Sequence, residues 1–230
     1  MAKDEIKKTD THELGFPKDV FNPTDNMEGV EPRLPQIGIV HQAQLFKMPD
    51  GETEIEFEGI ILDTNKANAW WSKSYDDTGG GDLPDCSSLD GVYPDPNCEN
   101  IQADSCHICE KNQFGTAAKG GGKACKNMKR IHILVGEGIL PYRLTLPPSS
   151  LKAIDLYISM LTSQSIPYQL IATHFTLKTA TNPAGIEYSE MVFKKLAAIT
   201  DINQVNNIKK QYTDLKPIMR GQPIVFDEAG

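Results

Sequence analysis

The sequence has no cysteine outside residues 86–125, no surplus of bases, and only two tryptophans among 230 residues. It has no uncharged apolar run near the roughly 20 residues that a membrane-spanning helix needs. Its first residues, Met1-Ala2-Lys3-Asp4-Glu5, lack the apolar stretch of a secretion signal, so the expected location is cytoplasmic. Catalytic motifs are missing as well. Neither Gly-x-Ser-x-Gly nor His-Glu-x-x-His occurs, and Gly120-Gly121-Gly122-Lys123 lacks the spaced first glycine and the following hydroxyl of a phosphate-binding loop. His12, His41, His107, His132 and His174 stand singly. The expectation is a protein that is not an enzyme. What is present, 39% hydrophobic and 23% charged residues, suits a chain able to bury a core.

The net charge of −8 argues against wrapping duplex DNA, yet it averages over opposites. Residues 1–58 carry 13 acids against 6 bases, and residues 72–104 carry 8 acids against Lys73 alone. Between 105 and 135 the sign reverses, with Lys111, Lys119, Lys123, Lys126, Lys129 and Arg130 facing only Glu110.

Residues 1–34 have prolines, glycines and mixed charges without an apolar period, which predicts an extended, partly disordered arm. From Pro35 the apolar pattern has period two through Ile37, Ile39, His41, Ala43 and Leu45, then a turn at Met48-Pro49-Asp50-Gly51. A second strand places Ile55, Phe57, Gly59 and Ile61 on one face and ends at Trp70-Trp71. Residues 72–128 lose all periodicity and hold every cysteine. Strands resume over Lys129–Val135 and Tyr142–Leu146, and Pro147-Pro148 stops the second. Ser149 or Ser150 is placed to cap a helix carrying Leu151, Ile154, Ile158 and Leu161. Two strands follow, over 167–179 and 186–196, with an Asn182-Pro183-Ala184-Gly185 turn between them. A helix from Asp201 to Tyr212 and a short acidic tail complete the chain.

This order predicts a mainly β fold, a barrel like the oligonucleotide-binding one, with a helix between its third and fourth strands and a helix at the C-terminus. The barrel would comprise residues 35–71 and 129–200, the irregular insertion 72–128, and the terminal helix and tail 201–230.

The cysteines are Cys86, Cys98, Cys106, Cys109 and Cys125. Cys106-His107-Ile108-Cys109 is the spacing that lets two thiolates share a metal, and Cys125 lies a loop's length beyond. A structural, tetrahedral Zn2+ is expected, with Cys86 the first choice as fourth ligand and Cys98 and His107 the alternatives. Such a metal would supply the order that the insertion lacks. It would also gather Lys111, Lys123, Lys126, Lys129 and Arg130 near Phe114, Trp70, Trp71 and Tyr75. Bases beside aromatic platforms are what an unpaired nucleic-acid strand requires.

Cys86-Ser87-Ser88-Leu89-Asp90-Gly91, Cys106-x-x-Cys109, Phe114-Gly115-Thr116 and Gly122-Lys123-Ala124-Cys125-Lys126 resemble segments of phage and mobile-element proteins of the single-stranded-DNA-binding type. That resemblance covers about residues 35–200. It implies an oligonucleotide-binding barrel with a zinc-ribbon-like insertion, with Cys86, Cys106, Cys109 and Cys125 on the metal positions and Cys98 an extra. It further implies a role in replication or recombination in a bacterial host's cytoplasm, with possible homo-oligomers and replication or recombination proteins as partners. The Asp227-Glu228 tail is shorter than those with which phage single-strand binders recruit partners. Two other readings stand beside this one. The first is a zinc-stabilised interaction or anti-defence module that docks on a host complex through its acidic face. The second is a metal-dependent hydrolase, which the closed thiolate set and the lack of a carboxylate cluster disfavour.

Overall fold

A computed structural model describes residues 26, 28–41, 43–73, 83–118, 121–181, 185 and 187–224. The chain divides into two units, Met1–Pro32 and Arg33–Gly230. The first falls almost wholly outside the described residues, as do Tyr75, Lys119 and the tail at 225–230; the architecture below is that of the second.

It is mainly β. Nine strands are present among the described residues: β1 (Gln36–Val40), β2 (Leu45–Lys47), β3 (Thr53–Glu54), β4 (Glu56–Trp70), β5 (Cys86–Ser88), β6 (Lys126–Leu134), β7 (Tyr142–Leu146), β8 (Ile171–Thr181) and β9 (Glu187–Ala198). Helix α1 (Leu151–Ser163) lies between β7 and β8 in sequence, and α2 (Ile202–Gly221) follows β9. The strands form one sheet in the order β3-β2-β1-β7-β6-β4-β8-β9, with β5 pairing β4 off this path. No helix among the described residues is long and apolar enough to cross a membrane.

The long strand β4 organises the sheet by changing partner along its length. Its first residues, Glu56–Ile60, pair with β8, and Ile60–Ala69 pair with β6, with a register shift between Ile61 and Asp63. Where the partners change, Gly59 passes so close to β6 that a Cβ would lie 2.5 Å from Ile133 Cγ2 and 2.7 Å from the Leu134 carbonyl oxygen. Glycine and an irregular register are how a strand bends sharply enough to curl a sheet. The curl brings β9 back toward the first hairpin, where Ser189 Oγ donates to His41 O at 2.8 Å.

Alternation along β4 then faces two cores. Ile61 points inward to Phe46, Phe57, Ile133, Leu144 and Phe175, a cluster that α1 covers through Ile154, Tyr157 and Leu161. Phe57 stacks on Phe175 with ring centroids 4.6 Å apart and meets Phe46 edge-on at 4.9 Å. Leu62 points the other way, to Leu134, Ile208 and Met219 beneath α2, and further along Ala67, Ala69 and Met128 pack under Ile224. Both faces of β4 and β6 are therefore buried.

Four expectations need correction. The strand expected through residues 37–45 is two strands: Gln44 takes φ +54° and Val40 faces Leu45 across a hairpin. Ile55, expected inside, lies at the break between β3 and β4 and is 70% exposed. Ser150 does not cap α1; its hydroxyl accepts instead from Met191 N at 3.0 Å and fastens the helix start to β9. The terminal helix does not stop near Tyr212 but runs through Pro217 to Gly221, beginning at Asp201, whose carboxylate accepts from Gln204 N at 2.9 Å.

Candidate functional site

The end of β4 gathers the cysteines. β5 pairs with one side of β4 so that Cys86 faces Trp70, while β6 pairs with the other side, setting Lys126 against Ala69. Cys125, one residue before Lys126, is thus brought to the same end of the strand from the opposite side. The Cys106–Cys109 segment is tied into this frame by its backbone. Cys125 N donates to Lys111 O at 2.8 Å, Cys106 N to Val92 O at 2.9 Å, and Asn112 Nδ2 to Cys106 O at 2.7 Å.

As a result Cys86, Cys106, Cys109 and Cys125 line one cavity of about 20 Å3, together with Trp70 and Lys111. That is room for little more than one water-sized sphere. Burial raises the Cys125 thiol to about 12, and the neighbouring Cys106, Cys109 and Cys86 add to the rise. Burial raises Cys86 too, against a backbone donor from Gln102. Thiols crowded in a dry cavity resist ionising together unless a cation joins them. The set is gathered rather than closed: all five cysteines are free, and among the described residues no three His, Cys, Asp or Glu side chains are disposed to hold a metal ion as they stand.

Cys98 and His107 do not line this cavity, although Cys98 is near enough to Cys86 to add to the rise of its thiol. Cys98 Sγ accepts from Ser87 N at 3.0 Å and lies within 3.3 Å of Ser87 Oγ, lining a different hollow beside Trp71. His107 is exposed, with its backbone carbonyl accepting from Gln113 Nε2.

The expected basic and aromatic residues do not form one surface. Lys111 Nζ sits 5.0 Å over the Trp70 ring, so this pair covers the cysteine cavity. Trp71 packs against the small cluster of Ala67, Ala69, Met128 and Ile224. Lys129 pairs with Asp155 on α1. Arg130 is fully buried: Nη1 and Nη2 donate to the carbonyls of Gln222 and Pro223, each at 2.6 Å, and pin the chain beyond α2 to the sheet. It has no surface to offer a strand, because residues 126–134 alternate and Arg130 shares the face covered by α2. Tyr75 lies outside the described residues.

What remains exposed is the tip of the loop. Phe114 is 81% exposed, with Lys123 Nζ 5.0 Å from its ring, and Lys126 is exposed nearby in sequence. The tip is built: Gly115, at φ +85°, donates to Gly122 O at 2.9 Å, Thr116 Oγ1 donates to Gln113 O at 2.7 Å, and Lys123 Nζ donates to Asn112 Oδ1 at 3.2 Å. Sequence reading overlooked Tyr93, 63% exposed on the turn that follows β5, and the bidentate pair of Arg220 with Asp63 at 2.8 and 2.9 Å. Asp63 carried a signal, being an acid inside an apolar strand pattern, which requires a partner.

Compared with family models, with curated proteins and with solved structures, the chain finds no match. Its class therefore rests on the fold and on the cysteine-framed loop.

Proposed function

We propose that this is a non-enzymatic protein that binds single-stranded nucleic acid, built on an oligonucleotide-binding type of barrel with a zinc-stabilised loop as its contact tip. The observation that carries the reading is the pairing of Phe114 with Lys123 at the end of a loop rooted in four cysteines. A core residue would not be left 81% exposed, and a base stacks on such a ring for about 1 to 3 kcal/mol while the adjacent ammonium meets a phosphate. The strand path supports the barrel: a long bent strand paired on both sides, then, beyond the short β5, two strands, a helix and two strands, with β1 added in parallel at the β7 edge. Cys86, Cys106, Cys109 and Cys125 would hold the zinc, whose role there would be structural. This is also how the protein would resemble phage and mobile-element single-strand binders acting in replication or recombination.

Four thiolates with one Zn2+ would carry a net charge of −2, which Lys111, over Trp70, would offset in place of serving the strand. Lys123 and Lys126 then carry the phosphate contacts, and the salt dependence should be shallow. Titration of a labelled oligothymidine of about 15 nucleotides, near the upper site size of one barrel, tests this. Anisotropy should give a log–log salt slope of about −1 to −2, as two phosphate contacts on a single strand require. Phe114→Ala should weaken binding about fivefold or more, at unchanged thermal stability. No binding at low salt, or equal affinity for the variant, contradicts the reading.

A further inference from the structure

Beyond the turn that follows β5, the chain returns along that strand. Asp95 N donates to Ser87 O at 2.8 Å and Asn100 N donates to Asp85 O at 3.0 Å, so residues 95–100 lie against residues 85–87. Cys98 falls within one span and Cys86 within the other. A short turn, closed by Cys98 N donating to Asp95 O at 3.1 Å, sets the Cys98 side chain against β5. Its sulfur accepts from Ser87 N at 3.0 Å and lies 3.3 Å from Ser87 Oγ. Ser87 N is bonded to the Cys86 carbonyl carbon, so this sulfur stands within about one side chain's length of the Cys86 backbone. Cys98 is also among the neighbours that raise the Cys86 thiol. Disulfides join cysteines whose Cα atoms lie about 4.4 to 6.8 Å apart, which is the spacing of backbone segments bonded side by side.

The two sulfurs differ in access. Cys86 shares a cavity of about 20 Å3 with Cys106, Cys109 and Cys125, of which Cys109 and Cys125 are buried. That space holds about one water, too little for a peroxide. Cys98 instead lines an open hollow of about 530 Å3 beside Trp71, and it is the only cysteine among the described residues that do so. An oxidant entering there meets Cys98 first.

We infer that Cys98 and Cys86 are a redox pair, joined by a disulfide when the protein meets hydrogen peroxide. The Cys98 sulfur attacks one peroxide oxygen, an S–O bond forms, the O–O bond breaks, and the other oxygen takes the thiol proton and leaves as water. Cys98 then carries a sulfenic acid. The Cys86 sulfur attacks the Cys98 sulfur, the S–S bond forms, the S–O bond breaks, and the hydroxyl leaves as a second water. It takes the Cys86 proton, or one from solvent where that thiol is already ionised. The two sulfurs lose two electrons in all, and the peroxide gains them. With Cys86 joined to Cys98, three thiols remain at the cavity. On the zinc reading above, the metal loses a ligand and the Phe114 tip loses its frame. Only this consequence rests on that reading; the bond itself does not.

The test uses the full chain, prepared with zinc and treated with a few equivalents of hydrogen peroxide. Cleavage before aspartate, without reduction, puts Cys86 on residues 85–89, Cys98 on 95–103 and the other three cysteines on 104–154. Mass spectrometry should find 85–89 joined to 95–103 as the first product, and dithiothreitol should part them. Zinc, read with a chromogenic chelator, should leave in step with that bond, about one per chain. Cys98→Ser should release it at least about tenfold more slowly under peroxide. A first bond confined to 104–154, or release from Cys98→Ser as fast as from the wild type, would overturn the inference. The mapping uses the unaltered protein, so it decides even where the variant folds poorly. A chain that binds no oligothymidine and still links 85–89 to 95–103 sinks the nucleic-acid reading alone, whereas one that binds it and forms no such link sinks this inference alone.

Discussion

Arg130 and His132 sit on the same face of β6, both fully buried. Arg130 is satisfied by the Gln222 and Pro223 carbonyls. His132 is not charged at neutral pH: burial lowers it to about 4, with Arg130 and Arg143 pushing the same way and Asp63 opposing them. Its folded value lies below its ordinary value of 6.5, so the unfolded chain binds the extra proton first. Stability from this group is therefore complete above about pH 6.5 and is lost as pH falls toward 4. Between pH 7 and pH 5 the loss should be about 2 kcal/mol. Urea unfolding of the wild type and His132→Leu at both pH values checks this, because carboxylates and thiols common to both cancel. The variant should lack that part of the acid loss, and an identical loss in both proteins would contradict the assignment. The role of Arg130 was legible in outline: Met128, Arg130, His132 and Leu134 alternate as one face, which places a base on a covered surface. Its partners were not, since Gln222 and Pro223 lie 92 and 93 residues away.

Among the elements, β4 determines the site. Its pairing with β5 on one side and β6 on the other brings Cys86 and Cys125 to one strand end, so the cysteine frame is a consequence of sheet register. Cys98 bonds Ser87 and lines the hollow beside Trp71, yet its sulfur is near enough to Cys86 to raise that thiol, so it is the direct competitor for the fourth position. Protein purified without chelator should hold about one zinc per chain. Cys98→Ser should keep it and Cys86→Ser should lose it, as read by metal analysis; the reverse pattern would move the fourth ligand to Cys98. The order of most elements was readable from period-two and helical patterns, whereas β5 and the start of β6 at Lys126 lie inside the stretch that read as aperiodic. Three features were not readable. The hairpin between Val40 and Leu45 hides because apolar alternation continues through it. The extension of α2 past Tyr212 is masked by Pro217. The cap at Ser150 was displaced by a tertiary bond to Met191 N that no local pattern encodes.

For the molecule as a whole, the sheet, two helices and the C-terminal strap leave little of β4 and β6 uncovered, so the insertion is where function has room. The run of bases at 105–135 looked like one patch in the sequence. In three dimensions Lys111 lies over Trp70, Lys129 pairs with Asp155, Arg130 is buried, Lys123 lies beside Phe114 at the tip, and Lys126 is exposed at the loop's root on β6. The central claim is that thiolate-bound zinc holds the tip in its binding form. The most direct measurement is an anisotropy titration of labelled oligothymidine with zinc-loaded protein and with the same protein stripped by chelator. The account predicts that stripping weakens binding at least about tenfold, that the β signal in circular dichroism persists, and that re-adding zinc restores affinity. Equal affinity with and without zinc would contradict it.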